Sequence, residues 1–109
     1  RMKEARELLE GNGRAQSRAS GFVSREELLS QSDPSKISSL ALWESEDIYA
    51  HWKASHERAA AMAGAVELWS RPPESGRFTV AGRLGAGDYA AAGRLLSFDA
   101  CSNVGHGAK

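Results

Sequence analysis

Residues 43–52 read WESEDIYAHW, and the fold turns on them because they join two kinds of hydrophobic pattern. Just before and into them, residues 36–43, KISSLALW, alternate as a strand does. Leu40 and Leu42 fall on one face, Ile37, Ala41 and Trp43 on the other. From Ile48 onward the period changes: Ile48, Trp52, Ala59 and Met62 recur at helical spacing. Ser45 suits an N-cap, and Glu46 and Asp47 place negative charge at the positive end of the helix that follows. The stretch predicts a strand ending in Trp43 that passes at once into a helix carrying Trp52. That helix is expected to reach about Ala63, before Gly64, with a break near Ser55.

Upstream, residues 22–30, FVSREELLS, form a second short run opened by Gly21. The intervening QSDPS contains an Asp-Pro pair that favours a turn, so the two runs predict a β-hairpin. Residues 1–13, RMKEARELLEGNG, set Met2, Ala5, Leu8 and Leu9 on one stripe of a helix expected to end near Glu10, with Gly11 and Gly13 as the stop. Downstream, AVELWSR at 65–71 alternates Val66 and Leu68 against Glu67 and Trp69, which predicts a third strand ended by Pro72 and Pro73. RFTVAGRL at 77–84 is a fourth strand in this reading, Asp88 caps a short helix over 89–96, and the glycine-rich end is frayed.

The 109 residues make a single domain, 1–109, with 85–109 as a less ordered extension. Fourteen basic and fourteen acidic side chains give no net charge, so nothing draws the chain to nucleic acid or an anionic membrane. One cysteine, Cys101, allows no internal disulfide, and no apolar run has the length of a membrane span. The expectation is a soluble protein of a reducing compartment, cytoplasmic by default. An organelle stays open because the chain begins at Arg1 and a targeting segment can precede it.

Several patterns carry no chemistry of their own. His51, His56 and His106 have no metal-binding spacing, and Cys101 has no His or basic cluster near it in sequence to activate the thiol. GAGDYA, 85–90, has the glycine pattern of a dinucleotide site but neither the βαβ unit nor the later acidic residue that such a site needs. It reads as a turn and a helix cap. Trp52 on an apolar helix face is by itself a core residue, Trp43 at a strand end a packing residue, and His51 a solvated one.

Helix, strand, strand, helix, strand is an α+β order that lacks only a leading strand to make a ferredoxin-like unit with an antiparallel sheet, and that strand is expected before residue 1. Residues 21–62, running from GFVSREELL through LALWESEDIYAHWKAS to HERAAAM, resemble the core of the antibiotic-biosynthesis-monooxygenase domain. The resemblance implies units that pair as homodimers into a dimeric α+β barrel. On this reading the sheet face bearing Ile37, Ala41 and Trp43 is the bare one that two copies bury.

The position nine after the strand-ending Trp is often His in the cofactor-free oxygenases of that superfamily; here it is Trp52. In this respect the chain is most similar to the heme-degrading monooxygenases of the iron-regulated bacterial type. The resemblance implies that Trp52 is catalytic, pressing on the heme and distorting it, and that Tyr49 lines the same pocket. Met62 or its neighbour Ala61 stands where those enzymes carry the iron-ligating His. His56, one turn after Trp52, has the chemistry of an iron ligand and reaches the pocket only if the helix breaks or shifts. Heme is then cofactor and substrate, dioxygen the oxidant, an external donor the source of electrons, and a meso carbon the place of hydroxylation. Two alternatives stay open: a cofactor-independent oxygenase of an aromatic quinol-like substrate, with Trp52 and Tyr49 stacking on the ring, and a non-catalytic dimeric module that binds heme or another flat aromatic molecule.

Overall fold

The computed structural model describes residues 2–68, 73–82 and 93–101. Helix α1 (Met2–Ser17) leads into a hairpin of β1 (Phe22–Leu29) and β2 (Ile37–Trp43). Helices α2 (Glu46–Lys53) and α3 (His56–Ala61) follow, then a 3-10 turn over Ala65–Glu67, and strands β3 (Glu74–Thr79) and β4 (Leu95–Cys101). The strands form one antiparallel sheet in the order β1-β2-β4-β3. The α+β class and the antiparallel sheet are as expected, as are the hairpin, the Ser45 cap and the break at Ser55.

β4 occupies a position of particular interest. A ferredoxin-like unit keeps its leading strand in the middle of the sheet, and here β4 stands there, between β2 and β3. The strand expected ahead of residue 1 thus has its place in the sheet filled from the other end of the chain. Arg94, just before β4, grips Glu44, just after β2, with two hydrogen bonds of 2.9 and 3.2 Å, which pins the two central strands in register.

Helices α1 and α2 pack on one face of the sheet, and α3 packs against α1 and α2. Ile37 and Cys101 meet Ala5, Leu9 and Leu68 at one end; Ala41, Trp43 and Leu95 meet Ala15, Tyr49 and Trp52 at the other. The face bearing Ile37, Ala41 and Trp43 is therefore covered, contrary to the sequence reading. The opposite face carries Leu28, Leu40, Leu42, Phe78, Leu96 and Phe98, as the strand registers require. Leu28 and Phe78 are exposed there.

Other expectations fail for identifiable reasons. α1 does not stop at Glu10 but continues through Gly11 and Gly13, because Asn12, Ala15 and Gln16 on its far half are buried. Residues 65–67 are a 3-10 turn rather than a strand: Leu68 packs inward while Val66 is 72% exposed, and no described strand pairs with them. The fourth strand begins earlier than expected, at Glu74, and Leu95 and Leu96 belong to β4 rather than to a helix. Trp69, GAGDYA, Asp88 and the glycine-rich end lie outside the described residues.

Candidate ligand-binding site

The two tryptophans of the opening stretch touch. Trp43 is wholly buried at the end of β2, and the Trp52 ring lies stacked on it at 6.2 Å and 26°. Tyr49 and Phe22 meet Trp43 edge-on at 5.8 and 5.6 Å. Tyr49 and Trp52, three residues apart, share one face of α2, so a single helix delivers both rings to one strand end. The approach is close at Gly21, whose φ of +83° and lack of a side chain make room for Ile48 of α2. A bulge at Val23 turns Phe22 onto the same face as Trp43.

Trp52 borders two cavities. An open groove of about 610 Å³ runs between the end of α1 and α2, with Ala15, Ala19, Ile48 and Trp52 as its apolar lining and Arg18, Asp47 and His51 among its polar residues. Behind Trp52 lies an inner cleft of about 240 Å³, between the helices and the sheet. Tyr49, Trp52, Lys53, Arg58 and Met62 line it from the helices, Asn12 and Gln16 from α1, and Arg25, Ser39, Asp99 and Cys101 from the sheet.

Three of the four residues expected at the site meet in this inner cleft: Tyr49, Trp52 and Met62. His56 does not. It is the first residue of α3, exposed, and lines neither cavity. The cause is Ser55, whose hydroxyl accepts a hydrogen bond from the Arg58 amide at 3.1 Å and donates to the Trp52 carbonyl at 2.6 Å. That arrangement ends α2 and starts α3 on a new course, so the one-turn relation between Trp52 and His56 is lost. His51, exposed as expected, lies on the outer groove beside Trp52.

Sequence reasoning missed Asn12, Gln16 and Arg25. The first two lie beyond the helix end expected at Glu10, and only the longer α1 brings them inward. Arg25 sits in a charged run, SREE, that reads as solvated, yet β1 places it beneath α1. Cys101 behaves as the inert thiol expected: burial, with Asp99 adding to it, pushes its pKa up to about 11, away from a reactive thiolate. Among the described residues no three His, Cys, Asp or Glu side chains come together as a metal site, and no helix is long and apolar enough to cross a membrane.

The inner cleft suits heme in kind. Its lining holds a Met thioether, a kind of group that heme iron accepts, Lys53 and Arg58 as cations for acidic arms, and the edges of Trp52 and Tyr49, which are 5% and 6% exposed. At about 240 Å³ the cleft is smaller than the roughly 300–1,000 Å³ of sites that enclose a drug-sized ligand. Its volume has room for an edge of a large ring, or for the whole of a small one. Comparison with family models, with curated proteins and with solved structures finds no match for the chain.

Proposed function

We propose that the chain is a heme-binding monooxygenase that degrades heme with dioxygen and an external reductant, and that it works as a homodimer. The observation that carries this reading is the position of Trp52, an indole that borders both cavities while resting on the fully buried Trp43. The pattern WESEDIYAHW, with its resemblance to the heme-degrading enzymes, supports the same reading.

Heme, when bound, supplies a redox-active iron and is itself the molecule consumed. The chain's own residues bind and orient. Trp43 denies Trp52 any space to retreat, so a ring pressed against Trp52 must itself give way. Met62 would be the residue to hold the iron were the ring to enter far enough, and Lys53 and Arg58 would give charge-assisted hydrogen bonds to acidic side arms. The protein supplies no acid or base in this scheme, consistent with a cleft whose one carboxylate, Asp99, accepts a hydrogen bond from Ser75.

Pairing through the sheet is supported by the face that no described helix covers, where Leu28 and Phe78 are exposed and Leu40, Leu96 and Phe98 half-buried, since monomers seldom expose a contiguous apolar patch. The small volume of the inner cleft favours a second reading, in which a cofactor-independent oxygenase takes a quinol-like ring directly against Trp52. Titration with hemin separates the two. A shifted Soret band that saturates near one heme per chain is expected; no shift, together with oxygen uptake on adding a naphthohydroquinone, gives the second reading the place of the first.

A further inference from the structure

Arg25 is a cation in an unusual position. Its side chain is only 10% exposed, it reaches from β1 beneath α1, and it lines the inner cleft. Nη1 donates to Gln16 Oε1 at 3.0 Å. Nη2 makes two long contacts of 3.4 Å, to the Leu9 carbonyl and to Glu27 Oε1, and Nε has no acceptor. A guanidinium has five N–H donors in a rigid fork, so these contacts leave donors over. Asn12, 7% exposed and lining the same cleft, has no partner for its side-chain oxygen. α1 accommodates the guanidinium through Gly13, where a Cβ would stand 2.9 Å from Arg25 Nε.

Burying a cation without full hydrogen bonding is unfavourable, and a protein that holds one from two elements with donors to spare has built the greater part of a carboxylate receptor. The cleft is lined by three cations, Arg25, Lys53 and Arg58, and by one carboxylate, Asp99, which Ser75 engages; the Glu27 carboxylate, outside the lining, pairs with Arg25 at 3.4 Å and leaves the cleft in cationic excess.

We infer that Arg25, supported by Gln16, is an anion-recognising subsite of the inner cleft, and that the cleft's ligand is an aromatic carboxylate. The carboxylate meets the guanidinium while the ring meets Trp52 and Tyr49, and the Asn12 oxygen accepts from a hydroxyl or other donor on the ligand. The inference rests on the reading of this cleft as an aromatic-ligand site and adds the chemical class. An acidic side arm of a tetrapyrrole and the carboxyl group of a hydroxylated naphthalene both supply that chemistry.

Two matched probe pairs distinguish these sources: protoporphyrin IX against its dimethyl ester, and 1,4-dihydroxy-2-naphthoate against its methyl ester under argon. Affinities are read from quenching of tryptophan fluorescence. In at least one pair the acid is expected to bind about ten- to a hundredfold more tightly than the ester, the range for a lost hydrogen bond to a charged group. The pair that shows the difference assigns the source. R25Q brings that ratio close to one without weakening the ester, and R25K falls between. Acid and ester binding equally to the wild-type protein overturns the subsite and leaves the aromatic reading intact; no binding of any probe overturns both. If R25Q fails to fold, the wild-type acid-to-ester ratio alone decides.

Discussion

Trp43 and Trp52 share one stack but differ in what removing them does. Trp43 is enclosed on all sides and lines neither cavity, so Trp43→Ala is expected to cost about 3–5 kcal/mol of stability, read by urea denaturation. Its indole nitrogen has no hydrogen-bond partner, so Trp43→Phe gives up no bond and should cost much less. Cys101 gives a pH test. Its thiol rises from an ordinary 9.0 to about 11 in the fold, so the folded chain holds the proton more tightly than the unfolded one. Its contribution is fully present below pH 9 and is lost as the pH climbs to about 11. Wild type should lose more stability than Cys101→Ala between pH 8 and 10.5; equal losses would remove the claim. At this scale the sequence announced Tyr49, Trp52 and Met62 through the resemblance that WESEDIYAHW carries, and helical spacing puts only Tyr49 and Trp52 on one side of α2. It concealed Arg25 and Asn12, since a charged run and a Gly-Asn-Gly give no hint of burial.

Helix α1 is the element that most departs from its sequence. Gly11 and Gly13 look like a stop, yet each costs only about 1 kcal/mol in a helix interior, and burial of Asn12, Ala15 and Gln16 against the sheet outweighs that. The two glycines then predict opposite outcomes. A Cβ at Gly11 meets nothing closer than 3.6 Å, so Gly11→Ala should stabilise by up to about 1 kcal/mol. At Gly13 the new methyl meets Arg25 in mid-chain, so Gly13→Ala should show no gain and lose the acid preference of the cleft. Equal stabilisation by both, measured as thermal midpoints, would contradict the account of how Arg25 is seated. The hairpin and α2 were legible because turn, cap and hydrophobic period agree at each boundary. β3 was harder to read, being an edge strand whose residues are nearly all exposed and show no apolar alternation. β4 was hidden because LLSF fits a helix after Asp88 as readily as a central strand.

At the level of the molecule, α+β order was readable and the path of the chain through the sheet was not: no local pattern tells that the last described strand lies between β2 and β3. Nor does alternation say which face of β2 the helices take. Both faces of that strand carry apolar residues, and the choice is made by Trp43 meeting α2. The face left over predicts a dimer. Sedimentation velocity at micromolar concentration should show two copies, and Leu40→Glu, in the middle of that face, should show one without loss of the fold. A wild-type monomer would remove the pairing. The most direct test of the account as a whole is the rate at which bound heme disappears on adding a reductant in air, in wild type and in Trp52→Phe at equal heme occupancy. With a smaller ring at that wall, heme should still bind but disappear several-fold more slowly than in wild type, while a Trp52→Phe protein that consumes heme at the wild-type rate would contradict the role given to Trp52.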